Sequence, residues 1–244
     1  MTAAPVAAAN ACIGIVAPYD FALDRELWRW VPDSLDLLVT RTPYEPLTVT
    51  VEQAHRIGDP AVVAEATLAL TTPSPAVVGY ACTAGSFVSG LAGERALVEA
   101  MLATGIPAAV TTSGAVVSAL HALGVARVAV ATPYDEAITA LLVGFLEEAG
   151  VAVTGTRHLG LHSAIWTVPR EVTCDLVRRS WTEDCDAVFV SCTNLATYDA
   201  IADLEAELGV PVVSANQATM WAAVSLAGLA AQGAGQRLLQ EVPA

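Results

Sequence analysis

One stretch of this sequence decides the fold: Ala187-Val188-Phe189-Val190-Ser191-Cys192-Thr193-Asn194. Its apolar run of β-branched and aromatic residues predicts a strand that is buried on both faces, as in a parallel sheet. Small and polar residues end the run, and helix-forming residues follow at 199–205. Cys192 is therefore expected at the carboxyl end of a strand, where open α/β sheets bind ligands. A helix that begins directly after Cys192 would lower the pKa of its thiol.

The first half of the chain carries a similar stretch, Ala76-Val77-Val78-Gly79-Tyr80-Ala81-Cys82-Thr83. A flanking segment is repeated as well, because Ile15-Val16-Ala17-Pro18-Tyr19-Asp20 is echoed by Val130-Ala131-Thr132-Pro133-Tyr134-Asp135. Two half-chains with the same order of motifs predict an α/β fold of two pseudo-symmetric lobes, each built on a parallel sheet. The two Cys-Thr turns would then face each other across the cleft between the lobes, which is the expected active site.

The same repeat predicts where the lobes begin and end. Lobe 1 is predicted to comprise residues 12–115 together with 218–231, and lobe 2 to comprise residues 116–217. The second segment of lobe 1 is a final helix that crosses back from lobe 2. Residues 1–11 are expected to form a flexible tail, and residues 232–244 a C-terminal tail.

Charge and composition exclude several classes of protein. The 11 Lys and Arg against 25 Asp and Glu give a net charge of −14, so no basic stripe is available for nucleic acid. No apolar run reaches the roughly 20 residues that span a bilayer, and the N-terminal residues lack the basic region of a signal peptide. We therefore expect a cytoplasmic protein that binds neither nucleic acid nor membrane. Five cysteines, an odd number, favour reduced thiols over disulfides.

Cys82 and Cys192 are the candidate catalytic residues. A single cysteine at a strand end is most often a small apolar side chain that fills space. Two cysteines at equivalent positions of a repeat, each followed by threonine, favour a function instead. Packing explains the other cysteines, which are Cys12, Cys174 and Cys185.

The sequence lacks the common motifs for metals and cofactors. It holds no Cys-x-x-Cys, and Gly160 separates His158 from His162, so these two histidines need not share a helical face. Neither a Gly-x-Gly-x-x-Gly fingerprint nor a P-loop follows the first predicted strand. We therefore expect no metal and no cofactor.

A tyrosine and an aspartate follow the first strand of each predicted lobe. Tyr19 and Tyr134 are each either a packed phenol or a hydrogen-bond donor to a bound carboxylate. Asp135 is expected to cap the helix that follows it. Asp20 is expected near the cleft, where it would orient a polar group of the substrate or a thiol.

At these residues the chain resembles the aspartate/glutamate racemase superfamily, over nearly its whole length. It is most similar to maleate cis–trans isomerase and arylmalonate decarboxylase, in the motifs Ala131-Thr132-Pro133-Tyr134 and Val190-Ser191-Cys192 and at residues 208–214. The turn at residues 18–26 is also similar to a branch of the superfamily associated with ectoine utilisation. The isomerase and the racemases use a cysteine from each lobe, whereas the decarboxylase has glycine at the first position. Having both Cys82 and Cys192, the chain resembles the two-thiol members.

The resemblance implies a site for a small carboxylate. Thr83 and Tyr134 would bind the substrate carboxylate, helped by the N–H groups of Thr193 and Asn194. Ala84 stands where the decarboxylase has a serine. The full set of candidate substrate-binding residues is Asp20, Thr83, Ala84, Ser113, Tyr134, Thr193 and Asn194.

The activity that the resemblance implies is that of a cofactor-independent isomerase or racemase with two opposed cysteines. A decarboxylase that uses Cys192 alone and a non-catalytic protein that binds small carboxylates are the alternatives. In the enzyme, Cys192 is expected to be the resting thiolate, because a well-formed helix should begin after it and only a looser turn after Cys82. Cys82 would then supply a proton from the opposite face. The expected partner is a small carboxylate, and association into a homo-oligomer is left open.

Overall fold

The computed structural model describes residues 11–241, and the strands of this range form two parallel sheets. The strands are β1 (Ala11–Ala17), β2 (Leu35–Arg41), β3 (Val77–Tyr80), β4 (Ala109–Thr111), β5 (Arg127–Thr132), β6 (Ala152–His158), β7 (Ala187–Val190) and β8 (Val212–Ser214). Their order is β2-β1-β3-β4 in the first sheet and β6-β5-β7-β8 in the second. All the strand pairs of both sheets are parallel.

Helices connect successive strands, as parallel pairing requires. They are α1 (Asp24–Leu27), α2 (Val51–Ile57), α3 (Pro60–Leu68), α4 (Thr83–Phe87), α5 (Gly90–Leu102), α6 (Thr112–Ala122), α7 (Glu136–Glu148), α8 (Arg170–Ser180), α9 (Tyr198–Leu208), α10 (Ala215–Leu226) and α11 (Arg237–Glu241). Short 3₁₀ helices cover Trp28–Trp30 and Ile165–Thr167. One further prediction, a flexible tail at residues 1–11, falls outside the described residues except for Ala11.

The two sheets confirm the predicted fold of two pseudo-symmetric α/β lobes. Corresponding strands occupy corresponding places, since β3 and β7 each lie between the first and the last strand of their half. Every residue of β3 and β7 is buried, as the apolar runs predict for strands covered on both faces. Because all strands of a sheet are parallel, their carboxyl ends share one edge, and Cys82 and Cys192 lie just beyond the central strands at those edges.

Helix α10 follows the last strand of the second sheet and packs on the first. Its residues Met220, Ala223 and Val224 belong to a buried cluster with Ile13 and Ile15 of β1. The N-terminus of α10 has a capping box, in which the Ser214 hydroxyl accepts from the Gln217 N–H and the Gln217 side chain returns to Ser214. The helix therefore joins the two halves of the chain.

The C-terminal segment also packs against the rest of the protein where it is described. Leu238 is fully buried, and Gln236 Oε1 accepts hydrogen bonds from Trp30 Nε1 and Gln217 Nε2, both at 2.9 Å. No helix in residues 11–241 is long and apolar enough to cross a membrane.

Candidate active site

Both candidate cysteines line one small cavity between the lobes. Its volume is about 30 Å³, close to the share of one water molecule in the liquid. The cavity is lined by Pro18, Asp20, Val49, Gln53, Ile57, Cys82, Thr83, Ala84, Tyr134, Ile165, Cys192, Thr193 and Asn194. A second cavity of about 350 Å³ shares Asp20, Val49 and Gln53 with the first and includes the exposed Tyr44. The first cavity alone is smaller than a small organic acid, and the shared lining residues place the second cavity directly beside it.

Cys82 is the N-cap residue of α4. Its backbone is extended, and the N–H of Gly85 donates to Cys82 Sγ at 3.3 Å. The hydroxyl of Ser86 donates to the Cys82 carbonyl oxygen at 2.6 Å, so both the side chain and the backbone of Cys82 are bonded to the first turn of α4. The prediction of a looser turn after Cys82 is wrong, because the Cys82 thiol caps a helix that starts at the next residue.

Cys192 has the left-handed backbone conformation, with φ of +90°. The N–H of Asn194 donates to Cys192 Sγ at 3.4 Å, but only residues 193–194 form a turn and α9 begins only at Tyr198. The prediction that a helix begins directly after Cys192 is therefore wrong. The loop is drawn toward lobe 1 instead, since the side chain of Asn194 binds the backbone of Asp20 and Ala22.

Burial sets the protonation of both thiols. It raises the pKa of Cys82 and of Cys192 from 9.0 to about 12, while hydrogen bonds to the sulfur atoms only partly offset it. The nearby charge of Asp20 raises both values further. The expectation that the pKa of Cys192 is lowered, and lowered more than that of Cys82, is wrong, because desolvation outweighs any effect of a helix terminus.

A buried tyrosine stands beside each sulfur atom, one in each lobe. Tyr134 lowers the pKa of Cys192, and Tyr80 that of Cys82, although burial outweighs both effects. The single proton of the Tyr80 hydroxyl is donated to the Ile57 carbonyl oxygen at 2.7 Å. Tyr80 can therefore accept from the Cys82 thiol but cannot also donate to it, whereas Tyr134 can donate to Cys192.

Thr83 offers a free hydroxyl at the cavity. Its Oγ1 is buried and has no hydrogen-bond partner among the described residues, although the residue lines the cavity beside Cys82. Buried hydroxyls are nearly always hydrogen-bonded in native proteins. An unpaired one at a cavity is therefore a position where a ligand atom can supply the missing partner.

The predicted site residues are brought together with one exception. Asp20, Thr83, Ala84, Tyr134, Thr193 and Asn194 line the cavity with the two cysteines. Ser113 does not line it, because its hydroxyl bonds Ser86 Oγ at 2.7 Å and the Thr83 carbonyl oxygen at 3.2 Å. Ser113 thus lies behind Thr83 and would act on a substrate only through it.

The side chains that follow β1 and β5 have separate tasks. Asp135 accepts from the Ile138 N–H at 3.0 Å, so its predicted role as the cap of α7 is confirmed. Tyr19 is a packed phenol, whose hydroxyl donates to the Leu47 carbonyl oxygen at 2.9 Å and accepts from Gln53 Nε2 at 2.8 Å. Tyr19 therefore has no free donor for a carboxylate.

Some lining residues carry no signal in the sequence. Val49, Gln53 and Ile57 come from the loop after β2 and from α2, and Ile165 opens the short 3₁₀ helix that follows β6. Val49 and His162 close the two loops over the cavity, since the Val49 N–H donates to the His162 carbonyl oxygen at 2.8 Å. These residues belong to neither repeated motif, so the repeat could not identify them.

A larger surface groove lies elsewhere, with a volume of about 560 Å³ and neither thiol in its lining. Two of its three arginines are engaged in surface ion pairs, Arg29 with Asp199 and Arg170 with Asp203, both at 2.6 Å. Such exposed pairs are screened by water and contribute little. The groove holds none of the nucleophilic groups found at the smaller cavity.

Known proteins resemble this chain in sequence. A family model for arylmalonate decarboxylase matches residues 53–239. The arylmalonate decarboxylase of Bordetella bronchiseptica is 44% identical over 158 residues, which are 63% of this chain and 65% of that protein. The maleate isomerase of Nocardia farcinica is 31% identical over 185 residues, which are 71% of this chain and 73% of that protein.

Solved structures share the fold over nearly the whole chain. A liganded arylmalonate decarboxylase, with one glycine changed to cysteine and one cysteine to serine, has a TM-score of 0.87 at 36% identity and covers 95% of this chain and 99% of its own. A Nocardia farcinica maleate cis–trans isomerase with one cysteine changed to serine, which holds a covalent succinylcysteine intermediate, has a TM-score of 0.84 at 25% identity and covers 94% and 98%. The predicted resemblance to this branch is thus confirmed, and the chain belongs to the arylmalonate decarboxylase family.

Proposed function

We propose that this protein is a cofactor-independent isomerase of a small carboxylic acid, acting as a cis–trans isomerase or a racemase with two opposed cysteines. The observation that carries the proposal is the shared cavity, to which lobe 1 contributes Cys82 and lobe 2 contributes Cys192. Both thiols are free. A one-sided reaction has no use for the second thiol, whereas a reaction at both faces of a flat carbon needs it.

The substrate carboxylate would bind at Thr83, and Tyr134, whose single proton supports Cys192 in the free enzyme, would turn to the carboxylate once the substrate is bound. The hydroxyl of Thr83 lacks a partner, and Tyr134 lies across the same cavity beside Cys192. Negative charge develops on this carboxylate during the reaction, and donors already aimed at it lower the barrier, one donor contributing roughly 3 kcal/mol. Asn194 has a smaller part than the sequence suggests, because its N–H donates to Cys192 Sγ.

In cis–trans isomerisation, the thiolate of Cys192 adds to one carbon of the double bond. The electron pair of that bond moves onto the carboxylate, which becomes an enediolate. Cys82 gives its proton to the second carbon, which leaves a saturated adduct on Cys192, and the single bond between the two carbons rotates. The Cys82 thiolate then takes the proton back, the electrons of that C–H bond re-form the double bond, and the Cys192 thiolate leaves. The covalent succinylcysteine of the Nocardia farcinica isomerase supports a sulfur–carbon bond in this kind of reaction.

In racemisation, the same thiolate removes the proton from the carbon next to the carboxylate. The electrons of the broken C–H bond move onto the carboxylate, and Cys82 gives its proton to the opposite face. Cys82 ends as the thiolate and Cys192 as the thiol, so the pair is ready for the reverse reaction. The two titrations are coupled, and a pH–rate profile describes the pair.

Decarboxylation of a malonate by Cys192 alone is the second candidate. It is favoured by the match to the arylmalonate decarboxylase family and by 44% identity to one such enzyme. Loss of CO₂ leaves an enediolate, and Cys192 would protonate it on one face. This reaction needs a single thiol, so Cys82 would be dispensable.

The test is to incubate the protein in D₂O with a panel of small carboxylic acids and to record NMR spectra. The panel holds maleate, phenylmalonate and several amino acids, and it reports isomerisation, loss of CO₂ and exchange at the α-carbon. We expect Cys82→Ser and Cys192→Ser each to abolish two-sided turnover. Cys12→Ser is the control, because Cys12 lies at the start of β1 and does not line the cavity.

Each alternative gives a different result. Phenylmalonate decarboxylation that survives in Cys82→Ser and is lost in Cys192→Ser assigns the protein to the second candidate. Binding of carboxylates without any turnover identifies a non-catalytic binding protein. Full two-sided turnover in either cysteine variant contradicts the proposed function.

A further inference from the structure

Asp20 places a negative charge at the cavity that holds the two cysteines. It follows β1 and lines the cavity together with Cys82 and Cys192. Because all three residues line one cavity, the charge of Asp20 raises the pKa of both thiols. Burial raises the pKa of Asp20 itself, as expected for a carboxylate largely removed from water.

The carboxylate of Asp20 has no cationic partner among the described residues. The one hydrogen bond that favours its ionised form comes from its own backbone. The lining of the cavity includes no lysine, arginine or histidine. In the adjoining cavity His162 is nearest to another acid, with its Nδ1 3.9 Å from Asp135 Oδ2. Burying a charge without an opposite charge beside it costs free energy, so a bound ligand is the natural source of the missing positive charge.

The backbone of Asp20 is fixed from the other lobe. Asn194 Nδ2 donates to the Asp20 carbonyl oxygen at 3.2 Å, and the Ala22 N–H donates to Asn194 Oδ1 at 3.0 Å. Asn194 is itself two residues from Cys192 in the chain. This tie keeps the carboxylate beside the thiols, where a substrate that reaches Cys192 must meet it.

We propose that Asp20 selects a substrate that carries a positively charged nitrogen as well as a carboxylate, as an amino acid does. The inference rests on the proposed function, which places the substrate carboxylate at Thr83 and Tyr134. The ammonium group would pair with Asp20, whereas the second carboxylate of a dicarboxylate or malonate would meet a like charge in a desolvated site. Pairing also neutralises the charge that opposes ionisation of the thiols, so such a substrate favours formation of the thiolate.

The test compares ligands that differ in one group, an ammonium in place of a carboxylate. The pairs are β-alanine with succinate, 4-aminobutyrate with glutarate, and phenylglycine with phenylmalonate. Calorimetry at pH 7 should show that the wild type binds the amine of at least one pair about tenfold or more tightly than its partner. In Asp20→Asn, the amine should lose about tenfold in affinity and the dicarboxylate should gain. Asp24→Asn is the control, because Asp24 pairs with Arg41 at 2.6 Å outside the cavity.

The outcomes separate this inference from the proposed function, because binding is measured without turnover. If the wild type binds every dicarboxylate as tightly as its amine partner or more tightly, the role of Asp20 is overturned. The role is also overturned if the wild type binds none of the six ligands. A preference for amines that is lost in Asp20→Asn supports it even if no isomerisation or racemisation occurs. Turnover of maleate with a preference for dicarboxylates refutes the role of Asp20 and leaves the two-thiol chemistry standing.

Discussion

The two tyrosines at the sulfur atoms make the two thiols chemically different. Tyr80 donates its only proton to the Ile57 carbonyl oxygen at 2.7 Å, so that proton is not free to support a thiolate at Cys82. Each sulfur atom accepts one backbone N–H, from Gly85 at Cys82 and from Asn194 at Cys192, so the difference lies in Tyr134, which can donate to Cys192 and favours its thiolate. Cys192 is therefore the better candidate for the base or nucleophile, although the helix that was expected to activate it begins at Tyr198.

Replacing Tyr134 by phenylalanine should lower activity by about 100-fold at neutral pH. The thiolate is the active form, and the pKa of Cys192 is already raised to about 12, so the rate should increase as pH rises. Loss of the Tyr134 donor raises this pKa further and moves the pH–rate profile to higher pH. The measurement is kcat/KM as a function of pH.

Tyr19→Phe provides a matched control for this prediction. It removes the same hydroxyl from the equivalent position of lobe 1, where the group bonds Leu47 and Gln53 and not a sulfur atom. Its pH–rate profile should coincide with that of the wild type. An unshifted profile in Tyr134→Phe would show that Tyr134 does not support the thiolate.

At the scale of elements, the sequence predicts strands better than it predicts the starts of helices. The runs that become β3 and β7 are apolar throughout, because both faces of a central parallel strand are covered. Helix α4 is missed because Thr-Ala-Gly-Ser resembles a turn, and its helical state depends on a cap supplied by Cys82 Sγ. A thiol cap is set by local geometry that residue propensities do not encode.

Gly58 connects two of these elements, and its replacement by alanine should destabilise the protein. It ends α2, and a Cβ atom there would overlap with the carbonyl oxygen of Gly85 in α4. Because the obstacle is backbone, α4 must move, and Cys82 at its N-cap moves with it. We expect a loss of about 1–3 kcal/mol in the free energy of unfolding in urea, together with reduced activity.

Gly144→Ala is the matched substitution for Gly58→Ala. Gly144 is exposed in α7, and an added Cβ would meet no atom within 4 Å. Alanine there should stabilise the helix by up to about 1 kcal/mol and leave activity unchanged. Equal stabilities of the two variants would mean that α2 and α4 are not in rigid contact.

At the scale of the whole molecule, the cavity exists because side chains from one lobe bind the backbone of the other. Asn194 holds the turn at Asp20, and Glu26 of α1 reaches the residues that open α9. The sequence predicts that the two Cys-Thr turns face each other, since the repeat implies two similar lobes. It cannot predict these ties, because each joins positions about 170 residues apart that no repeat or periodicity relates.

Glu26 forms the most buried of these ties. Its Oε1 accepts from the Thr197 N–H at 2.9 Å, the Thr197 hydroxyl at 3.0 Å and the Tyr198 N–H at 3.1 Å, so it caps α9 from the other lobe. Burial raises the pKa of Glu26 above its ordinary 4.5 in spite of these bonds. The folded state therefore holds the proton more tightly than the unfolded state. The contribution of this tighter proton binding to the free energy of unfolding is complete below pH 4.5 and is lost as pH rises through the raised pKa.

Two substitutions of Glu26 should therefore act in opposite directions. Glu26→Ala leaves the N–H groups of Thr197 and Tyr198 buried without an acceptor, which should cost about 1–3 kcal/mol.

Glu26→Gln keeps the acceptor and removes the charge, and its new N–H can donate to Asn216 Oδ1, a buried oxygen without a partner among the described residues. We expect the glutamine variant to be at least as stable as the wild type at pH 7. Its advantage should shrink as pH falls toward 4.5, because the wild-type carboxylate then becomes neutral as well. Urea unfolding across this pH range tests the argument, and a glutamine variant as unstable as the alanine variant at pH 7 would mean that the cap depends on the charge itself.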